Sequence, residues 1–221
     1  MNYSTSEENY LKTIFHLQQT EAVVTTNRLA EALKTKPASV TDMMKKLNTK
    51  KLLHYKPYYG FSLTAEGNKI ALGVIRRHRL WEYFLAEKLH FGWDEVHGMA
   101  EQLEHIQHKK LIDRLDEFLG RPAFDPHGDP IPGSNGKIKT LQKMPLAQLP
   151  LHQYGEVCQV TNQSSEMLEL LHHKKIGIGT RLSVKKHFHF DQSLEIKLKQ
   201  TTITISQQLA NNIFIKYETK I

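Results

Sequence analysis

Apolar residues recur every three or four positions through the first half of the chain, which is the spacing of an amphipathic helix. The first such segment extends from Ser6 to Gln19, and its apolar positions are Tyr10, Leu11, Ile14, Phe15 and Leu17. Ser6 is the predicted N-cap, because two acidic residues follow it directly in the first turn. The pattern predicts a first helix over these residues.

Two short helices joined by a tight turn are predicted next. The first begins near Thr26 and buries Leu29, Ala30 and Leu33. A polar break over residues 34–36 separates it from a helix with Pro37 in its first turn, where proline is tolerated. The buried positions of that helix are Val40, Met43, Met44 and Leu47. This arrangement is typical of a helix-turn-helix.

The segment after it predicts a wing followed by longer helices. Residues 52–55 and 61–63 have the pattern of short strands, and the turn between them carries a lysine, aromatic residues and Gly60. A long helix is predicted from Thr64 to about Leu89. Two more helices are predicted over residues 93–108 and 110–119.

Four prolines and four glycines between Gly120 and Gly136 mark a domain boundary. Beyond Leu149 the pattern alternates, which predicts strands over residues 156–161, 181–190, 194–199 and 201–205, with one helix over residues 165–172. We therefore expect a mainly α protein with a small β domain. The predicted domains are a winged helix-turn-helix over residues 1–64, a helical dimerisation domain over 65–136 and a small β-barrel over 147–221.

The formal net charge of +7 favours a polyanionic partner such as nucleic acid. The single cysteine, Cys158, excludes an internal disulfide and a zinc site built from cysteines. The first ten residues lack a basic and apolar leader, and no apolar run is long enough to span a bilayer. These observations predict a cytoplasmic protein with no membrane partner.

Histidines and glutamates share helical faces on the two helices after the wing. His78 and Glu82 are four residues apart, and the next helix carries His97, Glu101, Glu104, His105 and His108. Imidazole and carboxylate donors without a thiolate suit Mn(II), Fe(II) or Zn(II). Solvated helix faces produce the same spacing, so the spacing alone leaves both interpretations open.

Three separated motifs resemble the DtxR/MntR family of metal-dependent repressors. They are RRHRLWEYFL from Arg76, VHGMAEQLEH from Val96 and DPHGDPIPG from Asp125. The resemblance extends over essentially the whole chain and implies a C-terminal domain of the FeoA-like or SH3-like kind. It implies a metal-dependent, homodimeric repressor and no enzyme activity.

The resemblance also implies two sets of metal ligands. His78, Glu82 and His97 match the first set, and Glu101, Glu104 and His105 match the second, with Asn9 as a further ligand from the first helix. Iron-sensing members have a cysteine at the position of Glu101, so the carboxylate here favours manganese. Manganese sensors of the two-domain kind have acidic residues at the positions of Asn9 and Lys12, and this chain departs from that pattern.

Contact with operator DNA is predicted for the exposed face of the third helix and for the wing, because small, hydroxyl and basic side chains suit groove and phosphate contacts. The candidates are Pro37, Ala38, Ser39, Thr41, Asp42 and Lys45 on the helix and Lys56 and Tyr58 in the wing. The predicted dimer surface surrounds Trp81, Leu85, Phe91 and Trp93.

The sequence thus predicts a repressor of metal-uptake genes in which metal favours the DNA-competent homodimer. Mn(II) is the favoured ion, Fe(II) is the alternative, and Zn(II) or other divalent metals are expected to bind in vitro. A winged-helix regulator that senses a small molecule is the nearest competing hypothesis. A metallohydrolase ranks lower, because the chain has no His-Glu-x-x-His helix, nucleophile elbow or phosphate-binding glycine loop.

Overall fold

The computed structural model describes residues 3–21, 23–56 and 59–217. Its contacts divide the chain into two compact units. Unit 1 contains the described residues of Met1–His78, Glu101–Glu117 and Pro132–Ile138. Unit 2 contains the described residues of Arg79–Ala100, Phe118–Ile131 and Lys139–Ile221.

The elements begin with a helix-turn-helix and a wing. They are α1 (Thr5–Leu17), α2 (Thr26–Ala32), α3 (Pro37–Thr49), β1 (Leu53–Lys56) and β2 (Gly60–Leu63). Three helices follow, namely α4 (Ala65–Leu89), α5 (Val96–Leu103) and α6 (Lys109–Phe118). Each predicted helix is present, within a few residues of the predicted bounds except that α5 is shorter at both ends.

Side-chain caps fix where the first helices begin. The N-cap of α1 is Ser4, whose hydroxyl accepts from the Glu7 N–H while the Glu7 carboxylate accepts from the Ser4 N–H. The prediction of Ser6 as the cap was therefore wrong, because Glu7 completes a capping box only with the residue three positions earlier. The Thr25 hydroxyl caps α2 by accepting from the Arg28 N–H, and Pro37 occupies the first turn of α3.

The hydrophobic core of unit 1 joins the three short helices to the wing. Its fully buried side chains include Leu11, Ile14, Leu29, Val40, Met44, Leu47 and Phe61. Leu33 and Met43, which were predicted to be buried, are only partly buried at the edge of this core. β1 and β2 pair as an antiparallel hairpin, and Val24 forms a bridge to Phe61. The winged helix-turn-helix is confirmed.

Unit 2 contains a six-stranded antiparallel sheet in the order β3-β8-β4-β5-β6-β7. The strands are β3 (Met144–Pro145), β4 (Tyr154–Val160), β5 (Arg181–His187), β6 (Leu194–Leu198), β7 (Thr201–Ile205) and β8 (Ile213–Lys216). Two helices, α7 (Ser165–His173) and α8 (Gln207–Asn212), lie between strands along the chain. The mainly α architecture with a small β domain is confirmed.

Among the strands and α-helices described in unit 2, three were not predicted, namely β3, α8 and β8. β3 has two residues and β8 has four, so neither is long enough to show an alternating pattern. Ile213 and Ile215 of β8 are nevertheless fully buried in the core, together with Val157, Val184 and Ile196. Within the described residues, no helix has the length and apolar character needed to cross a membrane.

Candidate metal centres and nucleic-acid interface

A polar cluster in unit 1, here called the Glu104 cluster, joins side chains of α1, α4, α5 and the turn after α5. Its members are Glu8, Lys12, Arg77, His78, Glu101, Glu104 and His105. Glu8 is almost fully buried, and its carboxylate is held at both oxygens. Arg77 Nη2 lies 2.5 Å from Glu8 Oε1, and His105 Nδ1 lies 2.7 Å from Glu8 Oε2.

The carboxylate of Glu104 is the fully buried centre of this cluster. Its Oε1 accepts from Lys12 Nζ at 2.6 Å, and its Oε2 lies 2.6 Å from His78 Nδ1. Burial alone would raise the pKa of Glu104, but the hydrogen bond to His78 and the charge of Lys12 outweigh burial and lower it. Glu104 is therefore held as an anion between a lysine and an imidazole.

The structure brings together most of the second predicted ligand set. Glu101, Glu104 and His105 all belong to this cluster, with Glu101 Oε1 3.8 Å from Lys12 Nζ and His105 Nε2 3.6 Å from Glu104 Oε1. The side chain of Glu101 is 55% exposed. Asn9 is half-buried beside Glu8, and its carbonyl accepts from the Thr13 hydroxyl. A ligand role for Asn9 stays a prediction.

A second polar cluster, here called the Glu82 cluster, lies in unit 2 and consists of Glu82, His97, Asp125 and His127. One ligand atom each from Glu82, Asp125 and His127 lie within 4.8 Å of one another, and all three side chains are buried. Glu82 Oε1 is 3.1 Å from His97 Nδ1 and 3.9 Å from His127 Nδ1. One carboxylate thus faces two imidazoles.

The imidazole of His127 has a defined tautomer. Its Nε2 lies 2.8 Å from the carbonyl oxygen of Trp93, which accepts but cannot donate, so Nε2 carries the hydrogen. In the neutral ring Nδ1 is then a lone pair that faces Glu82. Among the described residues, His127 Nδ1 and Asp125 Oδ2 are buried atoms without a hydrogen-bond partner. Electron-rich atoms buried together in this way fit a bound cation.

The turn that carries Asp125 and His127 is fixed by its own backbone. Asp125 Oδ1 accepts from the N–H groups of His127 and Asp129, each at 2.9 Å. Gly128 has φ +84°, and a Cβ there would lie 2.0 Å from the carbonyl oxygen of Cys158, so only glycine fits. Burial and the neighbouring charges of Asp129 and Glu82 raise the pKa of Asp125 well above its ordinary range.

Sequence reasoning placed some of these residues and missed others. Glu82 Oε1 and His97 Nδ1 of the first predicted set are 3.1 Å apart, and His78, one helical turn earlier on α4, also pairs with Glu104. A ligand role for these three residues stays a prediction. Asp125 and His127 lie in the third family motif, where the prolines and glycines predicted only a connection between domains. The Asp-Pro-His-Gly order was the available signal, because it puts two ligand types beside a glycine turn.

The predicted DNA-contacting face of α3 is open to solvent. Pro37, Ala38, Ser39, Asp42 and Lys45 are exposed, and Thr41 is half-buried. Lys45 Nζ lies 3.7 Å from Asp42 Oδ1. Tyr58 lies outside the described residues, and so does the side chain of Lys56, although its backbone is the end of β1.

The lysines at the end of α3 have a structural role. Lys50 Nζ and Lys46 Nζ lie 2.6 Å and 3.1 Å from the buried Glu7 Oε1 of α1. Burial alone would raise the pKa of Glu7, but the hydrogen bonds from Lys50, the Ser4 N–H and Lys46 lower it to about 2. Lys46 and Lys50 therefore tie α3 to α1.

One residue of the predicted dimer surface has a different environment. Trp93 packs against the core of the β domain and stacks on His127, with ring centroids 6.0 Å apart. Leu85 is also buried within the chain, whereas Phe91 is exposed. Trp93 therefore supports the Glu82 cluster, since its carbonyl fixes the tautomer of His127.

Three family models match the chain in order. Residues 2–61 match the N-terminal DNA binding domain of the iron dependent repressors, and residues 64–133 match their metal binding and dimerisation domain. Residues 144–217 match the FeoA domain. These three segments correspond to nearly the whole sequence.

Individual proteins agree with these matches. The iron-dependent repressor IdeR of Mycobacterium leprae is 30% identical over 150 residues, which are 62% of this chain and 65% of that protein. The match thus covers less than two thirds of that curated relative's length. A manganese-dependent transcriptional repressor solved in complex with manganese is 31% identical, with a TM-score of 0.86 over 96% of this chain and 100% of the other.

Proposed function

The chain belongs to the DtxR/MntR family of metal-dependent transcriptional repressors, and we propose that it represses metal-uptake genes when Mn(II) binds. The observation that carries the proposal is the buried pair of atoms without hydrogen-bond partners, His127 Nδ1 and Asp125 Oδ2, beside Glu82. A bound cation stabilises such a group of donors. The winged helix-turn-helix in the same chain is the element that would bind DNA in response.

We assign one metal centre to the Glu82 cluster. Glu82, Asp125 and His127 are its proposed ligands, and His97, whose Nδ1 lies 3.1 Å from Glu82 Oε1, is a further candidate. The Trp93 carbonyl orients His127 in the way that outer-shell acceptors orient metal-binding imidazoles. Arg79 Nε lies 3.6 Å from Asp125 Oδ2, and a bound divalent ion would add positive charge beside the buried carboxylates of Glu82 and Asp125.

The second proposed centre is the Glu104 cluster, with Glu101, Glu104 and His105 as ligands and Asn9 as a further one. Its donors are carboxylate, imidazole and amide groups without sulfur, which suits Mn(II) better than a thiolate-containing set does. A similar protein was solved with manganese, and the Mycobacterium leprae relative is named for iron. We therefore propose Mn(II) as the physiological ion and Fe(II) as the alternative to test.

The proposed partner is double-stranded operator DNA, bound by a homodimer through the exposed face of α3 and the wing. The contacting residues are Pro37, Ala38, Ser39, Thr41, Asp42, Lys45, Lys56 and Tyr58. Two recognition helices in a dimer must lie about one helical turn of DNA apart, or a multiple of it, so a small hinge shift switches binding. The metal then regulates rather than catalyses, and the protein works in the cytoplasm, where its DNA lies.

The test is a DNA-binding titration at fixed salt, because ionic strength alone changes phosphate contacts by orders of magnitude. The probe is a duplex enriched from a random pool by this protein in the presence of Mn(II). We compare chelated protein with protein given Mn(II), Zn(II), or Fe(II) under anaerobic conditions. Mn(II) should tighten binding by about 5- to 150-fold, the range of ordinary allosteric coupling.

Variants at the two clusters identify the ligands. His127→Ala and His105→Ala should each lose the response to Mn(II) while keeping the circular dichroism spectrum of the folded chain. His173→Ala, at an exposed histidine of α7, is the matched control and should respond normally. Equal binding with and without chelator would refute the proposal in favour of a small-molecule regulator.

A further inference from the structure

We infer that Lys12 is a built-in competitor of the metal ion at the Glu104 cluster and sets the metal concentration at which the protein responds. This inference rests on the proposed function. It assigns to Lys12 a role in metal sensitivity, although a protonated lysine is not itself a ligand.

The first observation is where the ammonium group lies. Lys12 Nζ is 2.6 Å from Glu104 Oε1 and 3.8 Å from Glu101 Oε1, which are the carboxylates proposed as metal ligands. The Lys12 side chain is only 15% exposed, and that of Glu104 is fully buried. The ammonium group therefore lies beside the carboxylate oxygens that would bind the metal ion.

Among the carboxylates of the cluster, Glu104 is the one in hydrogen-bond contact with Lys12, and Glu101 lies further away at 3.8 Å. Glu8 is one helical turn earlier on α1, but its two oxygens already bind Arg77 and His105. The other Glu104 oxygen, Oε2, lies against His78. Oε1 is thus the oxygen of Glu104 that an incoming ion can take, and it is the oxygen that Lys12 holds.

Charge balance favours departure of the lysine when metal enters. The three carboxylates of the cluster, Glu8, Glu101 and Glu104, face two cations, Lys12 and Arg77, and with neutral imidazoles they leave one negative charge. A divalent ion added to this arrangement would leave one positive charge in a mostly buried place, which is costly. If the Lys12 ammonium moves into solvent, the same cluster with the ion is neutral.

Lysine suits this exchange better than arginine does. The charge of lysine is compact and lies at the end of a flexible four-carbon chain. The ammonium group can therefore move from Glu104 into solvent without breaking a bidentate contact. Metal-free protein is stabilised by the Lys12–Glu104 pair, and metal binding must first break that pair. Apparent metal affinity is lowered accordingly.

The experiment replaces the charge and keeps the length of the side chain. Lys12→Met in the full-length chain should bind Mn(II) about 10-fold or more tightly than wild type, measured by calorimetry and by the free Mn(II) signal in electron paramagnetic resonance. Its melting temperature should fall in the presence of chelator and recover with Mn(II). Lys50→Met is the control, because it removes an ammonium 2.6 Å from buried Glu7, outside the proposed ligands.

A second pair of variants keeps the test decisive. Lys12→Gln replaces Lys12→Met if the latter fails to fold, and Lys12→Arg should bind Mn(II) more weakly than wild type, because a guanidinium can hold the carboxylate at two points. Unchanged or weaker Mn(II) binding in the charge-removing variants would overturn the role of Lys12 alone. Wild-type protein that binds no Mn(II) would overturn the proposed function as well.

Discussion

The pair of lysines that holds Glu7 makes a measurable contribution to the stability of unit 1. We expect Glu7→Gln to lower the free energy of unfolding at pH 7, because the variant loses the charge that Lys46 and Lys50 stabilise. The fall in the Glu7 pKa from 4.5 to about 2 sets a ceiling of about 3 kcal/mol. Both lysines are partly exposed, so solvent screening reduces the expected loss to about 2 kcal/mol.

The pH dependence gives a second test of the same interaction. Because the folded-state pKa is below the unfolded one, the stabilisation is fully present above about pH 4.5 and is lost as the pH falls toward 2. The difference between wild type and Glu7→Gln should therefore be constant from pH 7 to 5 and shrink below that.

The assay is urea unfolding followed by circular dichroism at 222 nm, with hydrogen exchange of the α1 and α3 amides as a local readout. Glu31→Gln is the matched control, since Glu31 makes an exposed pair with Arg28 on α2. That control should change stability by less than about 0.5 kcal/mol. A loss at Glu7 no larger than that of the control, or a difference that does not shrink in acid, would refute this reasoning.

Three further predictions concern the turn, the cap and the DNA interface. Gly128→Ala should destabilise unit 2 by about 2 to 4 kcal/mol, because a Cβ there meets the Cys158 carbonyl at 2.0 Å and φ is +84°. Urea unfolding followed by the fluorescence of Trp81 and Trp93 measures this loss of stability, and a loss below about 1 kcal/mol would contradict the prediction. Ser4→Ala should cost about 1 kcal/mol through loss of the capping box, seen as a lower melting temperature, with Ser6→Ala unchanged as the control. Lys45→Ala should weaken DNA binding and reduce the slope of log affinity against log salt by about 1, and an unchanged slope would remove Lys45 from the phosphate contacts.

Local patterns predicted most of the fold, because helices and strands of ordinary length leave a periodic signal in their own residues. Pro37 marked the start of α3, and the alternation over residues 201–205 located β7 to the residue. Ser4 was not predicted as the N-cap because the capping box depends on its spacing to Glu7. β8 was not predicted because four residues are too few to show an alternating pattern. In both places the signal lies in neighbouring residues of the sequence, but it covers too few positions to be recognised.

The sites depended on contacts that no spacing encodes. Lys12 and Glu104 are 92 positions apart, and only the folded chain brings that ammonium to that carboxylate. His127 lies in a turn, where helical periodicity gives no orientation, so its contact with the Trp93 carbonyl could not be predicted. The family motifs gave the residue types of the ligand sets, whereas the pairs that form within them followed from tertiary packing.

The length of α4 turns a small tilt of the helix into a larger displacement at its end. Its first residue, Ala65, follows the wing strand β2 almost directly, and His78 of the Glu104 cluster lies 13 residues further along the same helix. At 1.5 Å per residue this segment is a rod of about 20 Å. A tilt of about 5° pivoting at His78 would displace the wing end by nearly 2 Å, which exceeds the tolerance of a hydrogen bond. A tilt too small to alter the packing around His78 is therefore a large displacement at the wing end of α4.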